Sequence, residues 1–392
     1  MALVSSRMEH LPNQSHHFDI PEHVIYLNAA TMGPLPVVAA QAGEIGLKRK
    51  LHPWTITSDD FFADTESIRP KLAKLIEADT DGIALCASAS YGLATAAQNI
   101  QIPPGSNIII LDDQFPSNVY TWQALADRTG AKVVTVGNLA SNTSLSDQLI
   151  EAIDERTSLV ACGQVRWTDG CRIDLEAVGA RAREIGAALV VDLSQSCGAM
   201  TFDLNTVQPD FVVCVGYKWL LGPYSIGFMY VAPEHRSGIP LEQNWIARQG
   251  SRDFTQLTNY QAEYDLGARR FDMGERSNFA LLPAFEASVD LLLKWGVDRI
   301  EASLAEKNRT LCDGLASLGL RTPSELERGP HYVGATLPQK APPDLVRKLA
   351  SRDIYVSQRG RSLRITQHLY NDDNQLERFL SALSEELAPI GA

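Results

Sequence analysis

Ala187-Ala188-Leu189-Val190-Val191-Asp192 and Phe211-Val212-Val213-Cys214-Val215-Gly216-Tyr217-Lys218 say most about the architecture of this chain. Each is a short apolar run, rich in Val and bounded by Gly or polar residues, which is the pattern of a buried parallel strand. In an open α/β sheet, functional groups gather just beyond the carboxyl ends of such strands. A carboxylate and an amine, 26 positions apart (192 to 218), are therefore expected to face one pocket.

The chain around them keeps the same rhythm. Strands are expected at 83–86, 107–111, 132–136, 159–162 and 226–231, with helices around 89–98, 120–129 and 174–185. Asp174 is the expected N-cap of the last of these. Alternation of this kind predicts a mostly parallel, doubly wound sheet. Residues 240–277 are polar and irregular, a long helix is expected over 281–295, and another over 374–386. A large domain over 40–280, with a smaller one formed by 1–39 and 281–392, is the expected division. There is no internal repeat.

At 392 residues the chain can bury a large core. Its net charge of −12, with a pI near 5.2, argues against a nucleic-acid or anionic-membrane partner. No apolar stretch approaches the ~18 residues a membrane span needs. Residues 1–17 are polar and carry no signal-like apolar run. The six cysteines have no C-x-x-C spacing and mostly lie in apolar strands, as reduced cysteines of a cytoplasmic protein would. No metal-ligand spacing stands out.

Lys218 lies among Tyr217, Trp219, Leu220, Leu221 and the turn Gly222-Pro223, where desolvation lowers an ammonium's pKa and makes it a nucleophile toward carbonyls. An average lysine is a solvated surface cation. Pyridoxal 5'-phosphate (PLP) needs this pair of residues: a lysine to form a Schiff base and an acid to keep its pyridine nitrogen protonated. Asp192 is placed to be that acid, and Gln195 can reach the same pocket. Ser88-Ala89-Ser90-Tyr91-Gly92, between a strand and a helix, offers free N–H groups and a helix dipole to a phosphate. A plain Ser cap explains it equally well. Arg364, in a strand-like stretch, suits a carboxylate held bidentately, with Arg359 and Arg361 as rivals. Neither a Walker-type loop nor a GxGxxG turn is present.

In this order these residues resemble the class V aminotransferase group of fold-type I PLP enzymes, which includes cysteine desulfurases, selenocysteine lyase-like proteins, kynureninases and isopenicillin N epimerase-like proteins. The resemblance runs from about 24 to 390. It is carried by Tyr26-Leu27-Asn28-Ala29-Ala30, Ser88-Ala89-Ser90-Tyr91, Phe115-Pro116-Ser117-Asn118, Asp192-Leu193-Ser194-Gln195, the Gly216 to Pro223 segment, and Leu363-Arg364-Ile365 with His368-Leu369-Tyr370-Asn371. It implies an α/β fold of the fold-type I kind, with a mostly parallel seven-stranded sheet in the large domain and a smaller α/β C-terminal domain. It implies Lys218 as the Schiff-base lysine, Asp192 at the pyridine nitrogen and Gln195 at the phenolic oxygen. Ser90 and Tyr91 are implied at the phosphate, Phe115 and Tyr217 beside the cofactor, and Asn28, Ala29 and Arg364 toward the substrate. Such enzymes are usually homodimers with active sites near the interface.

The chain also departs from that pattern. Tyr217 stands where desulfurases usually have His, Val215 replaces a common Ser, and Trp167 replaces a substrate-side Asn. A partner-donated Gly-Thr is represented by Gly274-Glu275-Arg276-Ser277, so Arg276 or Ser277 is the expected replacement. No Cys stands between Arg359 and Arg364, where desulfurases carry a mobile nucleophilic thiol. The expected enzyme is a lyase acting by β-elimination on a small amino acid or derivative. Amino transfer or epimerisation is the alternative, and a catalytically silent PLP-fold binding protein is the alternative of another class.

Overall fold

The computed structural model describes residues 10–137 and 143–388. From the N-terminus come β1 (Ile25–Tyr26), α1 (Val37–Lys48) and α2 (Asp60–Leu75). The alternating part follows: β2 (Ile83–Cys86), α3 (Ala89–Asn99), β3 (Asn107–Leu111), α4 (Ser117–Thr129), β4 (Lys132–Val136), α5 (Leu145–Ala152), β5 (Thr157–Gly163), α6 (Leu175–Ile185), β6 (Ala188–Asp192), α7 (Leu204–Val207), β7 (Phe211–Val215) and β8 (Gly227–Val231). The rest comprises α8 (Leu281–Trp295), α9 (Val297–Ser317), β9 (Val333–Thr336), α10 (Leu345–Ala350), β10 (Ile354–Tyr355), β11 (Ser357–Arg359), β12 (Ser362–Ile365) and α11 (Asp373–Leu387).

Strands β2 to β8 form one seven-stranded sheet in the order β2-β8-β7-β6-β5-β3-β4. Strands β3 to β7 run parallel, and β8 is antiparallel to both its neighbours. Both faces of this sheet are covered. Along β7, Val212 and Cys214 enter one core cluster while Phe211, Val213 and Val215 enter the other, the period of two that a pleated strand imposes. This is why these strands read as unbroken apolar runs. Helix α6 begins as expected: Asp174 caps it by accepting from the Ala177 N–H at 3.0 Å, and Gly186 ends it with φ of +78°. No helix among the described residues is long and apolar enough to cross a membrane.

A third core joins Ile25 and Leu27 to residues from Leu311 to Leu383, under a three-stranded antiparallel sheet (β11-β12-β9) and the parallel pair β1-β10. The packing of α8 and of the start of α9 bears on the expected division at 281. Leu282, Phe285, Val289 and Leu292 of α8, with Ile300 and Leu304 of α9, are packed into a main-sheet core. The smaller core draws its α9 residues only from Leu311 onward. The apolar stripe of α8 is satisfied by α1, α2 and the core cluster it shares with α2, so that helix packs with them.

The segment after β1 crosses to the lysine. Gly33 donates its N–H to the Tyr217 carbonyl at 2.8 Å. A Cβ at Gly33 would lie 2.1 Å from the Lys218 carbonyl oxygen, so only glycine permits the approach.

Candidate active site

Beyond the carboxyl ends of β5, β6 and β7 lies a cavity of about 420 Å³ whose wall includes both Asp192 and Lys218. Asp192 closes β6, in register with Gly163 of β5 and Val213 of β7. Its Oδ1 accepts the Ser194 N–H at 2.9 Å, which fixes the carboxylate at the strand end. Three residues past β7 stands Lys218, only 8% exposed. Its Nζ lies 5.4 Å from the Phe115 ring centroid and 5.7 Å from that of Tyr217. No ion pair joins it to a carboxylate among the described residues. Burial pushes its amine down to about 8, against a smaller upward pull from Asp192 and a further lowering by Arg364. About a tenth of such an amine is neutral at pH 7, against about one part in three thousand for an ordinary lysine.

Gln195 also lines the cavity, and both ends of its amide are held. Nε2 donates to the Ala30 carbonyl at 3.1 Å, and Oε1 accepts from Trp219 Nε1–H at 3.1 Å. Ser90 is on the wall, with its hydroxyl 2.8 Å from that of Ser117. Ser88 caps α3 by accepting the Tyr91 N–H at 3.2 Å. Tyr91 is not part of the cavity lining. Tyr217 lines the cavity and packs on Tyr224 at 4.5 Å, while Phe115 meets Trp167 edge-on at 5.4 Å.

The residues expected on the substrate side lie behind this wall. Asn28 bridges to Thr366, and Ala29 donates its N–H to the Thr366 carbonyl at 3.0 Å. Neither lines the cavity. Arg364 is 1% exposed and sits behind Trp167. It donates from Nη1 to the Trp167 carbonyl at 3.0 Å, from Nε to Ser357 at 2.9 Å and from Nη2 to Thr31 at 2.5 Å. It has no carboxylate partner among the described residues, and burial lowers its pKa. Arg276 is fully buried and paired with Asp272, and Ser277 donates to the Phe61 carbonyl.

Sequence reading passed over Gln114. Its Nε2 is buried without a partner among the described residues, and the residue lines the cavity. Its place in the loop after β3, another strand end, was the available signal. An orphaned donor, a dry lysine, a carboxylate and the N-terminus of α3 around one cavity of this volume fit a phosphorylated pyridine aldehyde.

The chain is 29% identical over 315 residues to a kynureninase of Deinococcus radiodurans, covering 77% of this chain and 73% of that one. It is 25% identical over 394 residues to a probable cysteine desulfurase of Pyrococcus abyssi, covering 94% and 96%. Among solved structures, the cystine C–S lyase C-DES in complex with cysteine persulfide superposes with a TM-score of 0.82 at 20% identity, covering 92% of this chain and 97% of that one. The fold is thus the fold-type I architecture of PLP enzymes. The sequence model of the family described as Aminotransferase class-V matches residues 26–378, so the chain belongs to the class-V aminotransferase family and is a PLP-dependent enzyme.

Proposed function

We propose that this enzyme is a lyase that removes a β-substituent from a small amino acid or derivative, of the C–S lyase type, with Lys218 as its Schiff-base residue. The observation that sets this reading apart from a cysteine desulfurase is the turn between β11 and β12. Arg359 pairs directly with Ser362, so Gly360 and Arg361 alone reverse the chain, Gly360 with φ of +54°. A two-residue hairpin offers no mobile loop for a sulfur-carrying thiol, and no Cys stands there. A leaving group is therefore released directly rather than handed to the protein. Relatives called probable cysteine desulfurase support chemistry at a C–S bond.

When bound, PLP supplies an electron sink for the substrate Cα. In this reading Asp192 holds the proton on the pyridine nitrogen, and the first N–H groups of α3 with Ser88 and Ser90 hold the phosphate. Gln195 offers an amide N–H to the phenolic oxygen. Phe115 and Tyr217 provide apolar walls that keep the lysine dry. Arg364, a buried guanidinium with no carboxylate partner among the described residues, takes the substrate carboxylate. Lys218 Nζ removes the proton from Cα and returns it to the departing group.

The test is product analysis of the PLP-loaded enzyme with amino acids that carry sulfur at Cβ. Stoichiometric 2-oxo acid, ammonia and free thiol or sulfide support elimination. Amino transfer to an added 2-oxo acid without ammonia, or Cα deuterium exchange with inversion and no net breakdown, would replace it. We further infer a cytoplasmic homodimer. All six cysteines are free, and α1 and the turns after it expose Ile45, Leu47, Leu51 and Trp54.

A further inference from the structure

The Gln195 amide has a single orientation, and two residues outside the cavity lining set it. An indole N–H can only donate and a backbone carbonyl can only accept. Trp219 Nε1 approaches one end of the amide at 3.1 Å, and the Ala30 carbonyl accepts from the other at 3.1 Å. Turning the amide over would set N–H against N–H and oxygen against oxygen in a buried place. With Oε1 held by Trp219, the second hydrogen on Nε2 is the donor left for the cavity that Gln195 lines.

Trp219 is itself held. It is 1% exposed, and the fully buried His331 ring meets it nearly edge-on at 4.4 Å and 85°. His331 Nε2 donates to the Gln195 backbone carbonyl at 2.6 Å. Burial pushes His331 down to about 4, so the ring is neutral and keeps its one proton on the nitrogen that faces the carbonyl. The two aromatic residues thus grip Gln195 by side chain and by backbone, from sequence positions 24 and 136 residues away.

We propose that Trp219, braced by His331, is a positioning residue that keeps an N–H of Gln195, rather than its carbonyl oxygen, turned toward the phenolic oxygen of bound PLP. The proposal rests on the cofactor contact assigned to Gln195 above. An N–H aimed at that oxygen stabilises its negative charge and eases loss of the proton that the oxygen shares with the Lys218 nitrogen. A carbonyl turned there does the opposite.

The readout is the pH midpoint at which the visible absorbance band of the PLP-loaded protein titrates, measured without substrate. Gln195→Leu is expected to raise the midpoint by about one unit. Trp219→Phe keeps an aromatic ring but frees the amide to turn, and should raise it in the same direction by about half a unit or more. His331→Leu should also raise it, and carries the comparison if Trp219→Phe does not fold. In a Gln195→Leu background, neither second change should add to the shift. A shift with Gln195→Leu but none with Trp219→Phe or His331→Leu overturns the positioning role and leaves the site reading intact. A Trp219→Phe shift that persists without Gln195 overturns it too. No shift even with Gln195→Leu removes the cofactor contact of Gln195, and the positioning role with it.

Discussion

Lys218 is held near 8 because it is surrounded by Phe115, Tyr217 and the packed Gly33 segment, while Asp192 is too far to pair with it. The sign of the resulting pH dependence follows. Between about pH 8 and 10.5 the unfolded chain holds a proton that the folded chain has released, so this residue's contribution to stability is complete above 10.5 and is lost as pH falls to 8. Lys218→Met is therefore expected to stabilise the PLP-free protein at pH 7, by at most about 3 kcal/mol, with the advantage vanishing toward pH 10.5. Urea unfolding of both proteins at the two pH values checks this, and a gap independent of pH would count against a desolvated amine. Lys218 and Asp192 were legible in the sequence because strand ends are. Arg276 was not, because the acid that holds it also holds Arg69, which lies 203 positions from that acid.

At the scale of elements, that acid ties the edge of the main sheet. Asp272 accepts from Arg69 Nη2 at 2.6 Å and Nη1 at 3.0 Å, from the Leu85 N–H of β2 at 2.7 Å, and from Arg276. All three charged groups are fully buried. Asp272→Ala would leave Arg276 buried without its carboxylate and Arg69 with Glu66 alone, and is expected to cost about 3–5 kcal/mol, read from the urea midpoint. A loss below about 1 kcal/mol would mean that the cluster is hydrated in solution. The βαβ rhythm was legible because β3, β5, β6 and β7 are apolar on both faces and α6 carries its own cap and stop. The place of α8 was not, since an apolar stripe announces that a helix is buried and not what buries it.

For the whole molecule, the open question is what covers α1. Ile45 is 67% exposed, Leu51 70% and Trp54 80%, close together in sequence. An apolar stretch of this kind suits a subunit contact. In a homodimer, Ile45→Glu is expected to shift the mass in solution from about 86 kDa, twice the 43.0 kDa chain, toward the monomer at micromolar concentration. Light scattering after gel filtration measures it. A wild-type monomer, or a dimer indifferent to this change, would move the interface elsewhere or remove it. Such assembly leaves little trace in sequence, because an exposed Ile on a helix is common in monomers as well.

The most direct test of the central claim is to incubate the protein with PLP, reduce it with borohydride and map the peptides by mass. The expected result is one pyridoxyl group, on Lys218, and none on a Lys218→Ala variant. A pyridoxyl group on another lysine, or a wild-type protein that takes none, would contradict the assignment of this cavity as the active site.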